Sequence, residues 1–558
     1  MEKYGNIAAF IEILNANDVK FVFFNPGIDN VPMLETIAEY QASGRQSPRS
    51  ILCLDEFVAM TAAHGNYMVT GRPQVVSVHS ELGALQVGGA LHNAQWGKVP
   101  VVMYTESLGP PQRVNWKGEA FEQGSMVRNF VKWDHHVTGS EDIREAFQEA
   151  FRIATTEPYG PVYLTLPRES LWNTGNILPD VLTTGSTRSA LPQPDKNTLS
   201  EAAEILINAE NPLIITGHSG RNLQTAPLLV QLAETLVARV QTSDIRMNFP
   251  NTHPLAVCTS PERGFGSPIL TTADVILVID YDMHYAAPPT TPSSNAKIIH
   301  IDIDTVKKGV PLWERQPDIL IKADSSQAIP ALNEIINQKI TPEKRQQFQE
   351  RSERLSAEHE KMRGEWQALA KKHADQKPIS VHWLCRCIDE VISEDTVIVN
   401  QTISPSMIVA NQIHRTKPGT LLSCAGGCIG WAPGAALGVK LSAPDSTVVS
   451  LMGDGAFIYG CPEASLWSAS FYKAPYLAII FNNQGYGAIK GLFREKYDVE
   501  NMGADISTSP DYAMIARACN AYGRTVEEPG DVLPALKEAL GHVETGKPAV
   551  LDIRLTPI

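Results

Sequence analysis

Short, near-continuous apolar runs rich in Val, Ile and Leu recur along this chain and constrain its fold more than any other feature. They lie at residues 21–24, 74–78, 101–104, 162–166, 213–216, 275–279, 298–303, 397–399, 447–451 and 477–481, with helix-like stretches between them. A strand with one face in water alternates apolar and polar residues, whereas a run that is apolar throughout is buried on both faces. Strands of that kind, separated by helices, form parallel sheets covered on each side. The fold class is therefore α/β, built from several doubly wound parallel sheets.

The chain has 558 residues, enough for about three to five domains at ~100–200 residues each. Two stretches divide it. Residues 173–200 are rich in Thr, Ser, Pro and Gly and read as a linker; residues 341–377 are highly charged and predict a solvated helix bridging two units. Ser380 could cap a helix over 382–392. The expected domains are 1–175, 195–345 and 378–558.

Lys plus Arg number 47 and Asp plus Glu 61, a net charge of −14 with no basic block. That argues against nucleic acid or an anionic membrane as partner. The N-terminus lacks a basic segment followed by a long apolar one, and no run approaches the ~18 apolar residues of a membrane span. The eight cysteines (53, 258, 385, 387, 424, 428, 461 and 519) are scattered without a CxxC pair. A cytoplasmic location is expected, with neither a disulfide framework nor a zinc site.

The third unit carries the densest chemistry. One apolar run leads into Gly453-Asp454-Gly455; after 26 more residues a second leads into Asn482-Asn483-Gln484-Gly485. The glycines let backbone approach a ligand closely, and residues just beyond parallel strands lie where open α/β sheets bind ligands. One carboxylate plus one amide oxygen suits Mg²⁺, which takes few protein oxygens and completes its shell with water and phosphate. Upstream, a glycine-rich loop followed by a helix of small residues (425–438) would admit a flat ligand to the backbone. In the first unit a strand-like run enters a helix with Glu56 in its first turn, where a carboxylate also complements the helix dipole.

Gly-Asp-Gly and Asn-Asn at this spacing resemble the diphosphate-binding motif of thiamine diphosphate (ThDP) enzymes of the 2-oxo acid decarboxylase and acetolactate synthase superfamily. The first unit adds stretches at 25–32, 75–80 and 89–94 that look like benzoylformate decarboxylase and one at 160–167 that looks like the usual close of the domain, and the second unit adds 212–217 and 299–304, which resemble the central domain, so the likeness spans the chain. The resemblance implies a pyrimidine-binding domain (1–175), a central domain (195–345) and a diphosphate-binding domain (378–558). It implies Mg²⁺ on Asp454, Asn483 and the Gly485 carbonyl, with Gly453 and Gly455 against the diphosphate. The Gly427 carbonyl would receive the pyrimidine amino group, and Ile429 would bend the cofactor. Glu56 would protonate the pyrimidine ring nitrogen. His79, whose ordinary pKa near 6.5 suits proton relay, and His284 would be pocket histidines. Ile28, Asp29 and Ser80 would line the substrate pocket.

The implied activity is ThDP- and Mg²⁺-dependent cleavage of a C–C bond next to a carbonyl, by way of a C2 carbanion and an enamine. Decarboxylation of a 2-oxo acid leads. Ile28 stands where benzoylformate decarboxylase has serine and offers no hydrogen bond. That leaves room for an acetolactate synthase-like carboligase forming a 2-hydroxy ketone, or for a 2-hydroxyacyl-CoA lyase. A silent regulatory subunit is the non-enzyme alternative, against which the retained Glu56, Asp454 and Asn483 speak. The family's active site lies between the first domain of one chain and the third of another, implying a homodimer or homotetramer acting on a small-molecule 2-oxo acid or 2-hydroxy ketone. Central-domain FAD or nucleotide binding stays open.

Overall fold

The computed structural model describes residues 5–107, 122–138, 142–172, 190–243, 245–257, 268–282, 292–307, 316–497 and 503–556. They form three six-stranded sheets in which every pairing is parallel. The first holds β1 (Phe21–Phe24), β2 (Arg49–Leu52), β3 (Gln74–Ser77), β4 (Val101–Ser107), β5 (Trp133–His136) and β6 (Val162–Pro167), in the order β2-β1-β3-β4-β6-β5. The central sheet holds β7 (Pro212–Thr216), β8 (Arg239–Thr242), β9 (Ala256–Val257), β10 (Val275–Ile279), β11 (Lys297–Asp302) and β12 (Ile319–Lys322), in the order β12-β11-β10-β7-β8-β9. The third holds β13 (Val397–Gln401), β14 (Leu421–Ser423), β15 (Val448–Gly453), β16 (Leu477–Asn482), β17 (Tyr522–Val526) and β18 (Ala549–Arg554), in the order β14-β13-β15-β16-β18-β17. The first and third sheets thus share one topology, and the central sheet has the doubly wound dinucleotide-fold order.

The strands read from sequence are the buried ones: β4, β7, β10, β13 and β16 are buried at every position. Strands without such runs, such as β5 and β17, lie at sheet edges and are half-exposed. Among the described residues no helix is long and apolar enough to cross a membrane.

Three boundary expectations need correction. Helix Lys196–Asn208 begins inside the expected 173–200 linker, capped by Asp195, while 173–189 lies outside the described residues. Helix Pro342–Lys372 is not wholly solvated. It buries Phe348 and Leu355 in the central core, and Arg351 donates to the carbonyls of Ala209, Glu210 and Leu236. Ser380 occupies the N-cap position of Val381–Val391 but makes no capping hydrogen bond. The chain entering that helix is pinned instead by Ile379, which pairs with the end of β18.

The first and third sheets meet through two helices. Helix Glu56–Thr70 packs on helix Trp431–Ser442 almost backbone to backbone. A Cβ added at Gly65 would lie 2.2 Å from the Ala435 carbonyl oxygen, and one at Gly438 would lie 1.9 Å from that of Ala62. The small residues of 425–438 therefore serve this contact as well as any ligand.

Candidate active site

In a doubly wound sheet the ligand crevice opens at the carboxyl ends of the two strands flanking the point where strand order reverses. In the first sheet those strands are β1 and β3. The segment after β1 carries Asn25, Gly27 and Asp29; the segment after β3 carries His79 and Ser80. Glu56 follows β2 as the first residue of its helix, where Asp55 caps the end by accepting from the N–H groups of Phe57 and Val58. With Asp55 filling the cap, Glu56 is free to turn inward. It is buried, and its Oε2 accepts from Asn25 Nδ2 at 3.1 Å. A Cβ added at Gly83 would lie 2.9 Å from Glu56 Oε1, so glycine there leaves the carboxylate its room. Burial, the largest influence, raises the Glu56 carboxyl above the ordinary range against the Asn25 hydrogen bond.

The turn Ile28–Asn30 sorts the expected pocket residues. Ile28 is 70% exposed, whereas Asp29 and Asn30 are buried. Asn30 locks the turn, accepting from Gly27 N at 2.9 Å and donating to Ser77 Oγ at 2.6 Å. Asp29 turns to His79, with Oδ1 2.9 Å from Nδ1. Ser80 is buried and holds a positive φ of 43° at the start of helix Ser80–Gln86. Behind Asp29, buried Glu106 at the end of β4 pairs with Arg168, and burial pushes its carboxyl up to about 7 against that guanidinium. His284 lies outside the described residues.

In the third sheet the reversal falls between β13 and β15. β15 ends at Gly453, and Asp454 follows at once as the start of helix Asp454–Tyr459. Its buried carboxylate accepts from the N–H groups of Gly455 (2.8 Å) and Gly485 (3.0 Å), and no Lys, Arg or His pairs with it among the described residues. Burial raises its pKa against those N–H groups. β16 delivers Asn482, which turns away to donate to Asp552 at 2.8 Å, and then Asn483, whose side-chain amide has no partner among the described residues. Gly485, at φ +155°, could not take a side chain: a Cβ there would lie 2.4 Å from the Ala504 carbonyl oxygen.

The loop before helix Trp431–Ser442 is held from two sides. Asn93, from the first sheet's helices, donates to the Cys428 carbonyl at 2.8 Å and accepts from Cys428 N at 3.1 Å. Gln401, at the end of β13, donates to the same carbonyl at 3.1 Å and accepts from Ala432 N. Gly427 between them is exposed, and a Cβ there, or at Gly453, would meet nothing within 4 Å. Ile429 is half-buried beside it.

These features fit a Mg²⁺–diphosphate group. A buried carboxylate that pairs with no Lys, Arg or His and an unengaged amide, both among the described residues, suit an ion that draws its remaining oxygens from phosphate, and the open space at Gly453 leaves room for that phosphate. No cluster of three or more His, Cys, Asp or Glu that could hold a metal occurs among the described residues, so the ion would need the ligand's own oxygens. The structure brings Glu56, Asn25, Asp29 and His79 together, and separately Asp454, Asn483 and Gly485. No hydrogen bond or ion pair joins the two groups within the chain among the described residues. Asn25, Asn93 and Gln401 were not assigned from the sequence. Asn25 and Asn93 sit in stretches already singled out there, but Gln401 carries no local signal.

The N-terminal TPP binding domain of thiamine pyrophosphate enzymes matches residues 7–121, their central domain 199–332 and their C-terminal TPP binding domain 404–553. The chain is 27% identical over 557 residues to benzoylformate decarboxylase of Pseudomonas aeruginosa, covering 98% of each. It is 26% identical to a probable acetolactate synthase large subunit of Methanocaldococcus jannaschii, over 98% of this chain and 91% of that one. Its fold matches the ThDP-dependent 4-hydroxybenzoylformate decarboxylase of Rhodococcus jostii with a TM-score of 0.82, covering 99% of both chains at 23% identity. The chain therefore belongs to the thiamine pyrophosphate enzymes, and is an enzyme of their lyase and carboligase type.

Proposed function

We propose that this enzyme uses ThDP and Mg²⁺ to decarboxylate a 2-oxo acid, in the manner of the benzoylformate decarboxylases it resembles. The observation that carries the reading is the pairing of two buried carboxylates with opposite surroundings. Among the described residues Asp454 accepts only from backbone N–H groups and pairs with no Lys, Arg or His; Glu56 accepts from one amide, and burial makes it hold a proton more tightly than usual.

Asp454, the Asn483 amide and the Gly485 carbonyl would hold Mg²⁺, with Gly453 and Gly455 beside the diphosphate. The Gly427 carbonyl and Ile429 would seat the pyrimidine. Bound there, the cofactor supplies an electron sink beside the substrate carbonyl. Glu56 would exchange a proton with the pyrimidine nitrogen, and burial shifts its carboxyl toward the neutral form. His79 exchanges protons with the substrate at Nε2. In the family the chain resembles, the active site lies between the first domain of one chain and the third of another, which makes a homodimer or a larger homo-oligomer the expected assembly.

Carboligation to a 2-hydroxy ketone is the second reading. Ile28 favours it, since an exposed apolar side chain at the pocket turn offers a departing carboxylate no hydrogen bond. The test strips and restores ThDP and Mg²⁺, then assays pyruvate, benzoylformate and branched 2-oxo acids with product analysis. Free aldehyde and CO₂ from one of these acids, requiring both additions, is the expected result. A C–C bonded 2-hydroxy ketone as main product would favour carboligation, and no turnover of any acid would overturn both.

A further inference from the structure

Next to the exposed, apolar Ile28 the turn places a buried carboxylate, Asp29. Asp29 Oδ1 lies 2.9 Å from His79 Nδ1, the Asp29 side chain is 4% exposed and that of His79 41%. Two features build this contact. Asn30, bonded to Gly27 N and Ser77 Oγ, fixes the turn so that position 29 faces inward and position 28 outward. Gly27 leaves the space: a Cβ there would lie 2.0 Å from His79 Nδ1 and 2.2 Å from Asp29 Oδ1. Any side chain at 27 would displace the pair, so this glycine is required by the dyad whatever its φ.

A carboxylate at one imidazole nitrogen fixes which nitrogen carries the proton. With Nδ1–H directed at Asp29, the lone pair falls on Nε2, which has no partner within the chain among the described residues. Among the described residues, Glu56, from the neighbouring helix, interacts with His79, and Glu106 with Asp29.

We propose that Asp29 is a positioning residue, rather than a substrate contact: it holds His79 as the Nδ1–H tautomer, so that Nε2 is the atom that takes and returns the proton. This rests on the function proposed above, and it gives Asp29 a different role from the substrate contact expected from the sequence. The step balances: a proton passes between the substrate and Nε2, the Nδ1–H bond to Asp29 persists, and no electrons enter or leave.

The test uses full-length enzyme labelled with [¹⁵N]histidine. Magic-angle-spinning NMR reads the two ring nitrogens of His79, identified by the signals lost in His79→Gln. The expected result is a protonated Nδ1 and a bare Nε2 in the native protein, and the opposite tautomer in Asp29→Asn. On whichever 2-oxo acid the native holoenzyme turns over, Asp29→Asn is expected to lower kcat about 10²–10⁴-fold with KM within about threefold and ThDP affinity unchanged. A native Nε2–H tautomer, an unaltered spectrum in Asp29→Asn, or a swapped tautomer with full kcat would each overturn the inference. Failure of the function reading shows separately, as no turnover by native enzyme whose His79 spectrum is as expected.

Discussion

The central sheet and the third sheet offer the same kind of crevice and treat it in opposite ways. At the central reversal point, between β7 and β10, the crevice is filled by the protein's own charges. Arg221 meets Asp280 (3.1 Å), Asp324 (3.3 Å) and Glu157 (3.5 Å). Lys307 meets Asp302 (2.6 Å) and Asp282 (2.5 Å), and Lys98 reaches Asp282 at 3.0 Å. The N–H of Gly220, in the turn after β7, is taken by Asn248 Oδ1 at 2.7 Å. At the third sheet's reversal point Asp454 pairs with no Lys, Arg or His among the described residues, and a Cβ added at Gly427 or Gly453 would meet open space. A crevice whose charges are already paired is a strut; one with an unpaired buried carboxylate is a seat for an ion. Lys98 and Glu157 belong to the first sheet's region, so the central network also ties two units together.

This contrast can be broken at either end. The largest effect is expected at the first sheet: Glu56→Gln should lower kcat about 10²–10⁴-fold while ThDP still binds, as read by steady-state kinetics and calorimetry. Next, Asp302→Ala removes one of the two carboxylates that meet Lys307, whose side chain is 1% exposed, and leaves it only Asp282. It should cost about 1.5–3 kcal/mol of stability by chemical denaturation, and leave kcat of the folded enzyme nearly unchanged. A third comparison uses ligands: ThDP with Mg²⁺ at a hundredfold excess over Kd should stabilise by about 2.7 kcal/mol. FAD or ADP at the same concentration should leave the thermal midpoint unmoved. Stabilisation by either dinucleotide or nucleotide would mean that the central crevice opens.

The smallest effect concerns pH. Burial raises the Glu106 carboxyl from an ordinary 4.5 to about 7. Its folded form thus holds the proton more tightly than the unfolded chain does. The stability it contributes is fully present below about pH 4.5 and is lost as pH rises through about 7. Glu106→Gln should flatten that part of the curve of thermal midpoint against pH.

The buried centres of all three sheets were legible because parallel strands with both faces covered must be apolar at nearly every position. Edge strands such as β5 and β17 were not, because half-exposed positions tolerate Arg, His and Asp. The placement of Asp454 and Asn483 just beyond β15 and β16 was legible because each follows a buried apolar run. The Asp29–His79 pair was not: which residue of a three-residue turn faces inward is decided by Asn30 reaching Ser77, 47 positions away. The central network was invisible for the same reason, since Lys98, Arg221, Asp282 and Lys307 are ordinary surface-type charges until the fold assembles them.

The most direct measurement is calorimetric titration of ThDP into apo-enzyme, with and without Mg²⁺, for the native chain and Asp454→Ala. Binding that needs Mg²⁺ in the native chain and weakens at least about 100-fold, some 2.7 kcal/mol, in the variant is the predicted result. Asp454→Ala binding ThDP as tightly, with unchanged Mg²⁺ dependence, would contradict it.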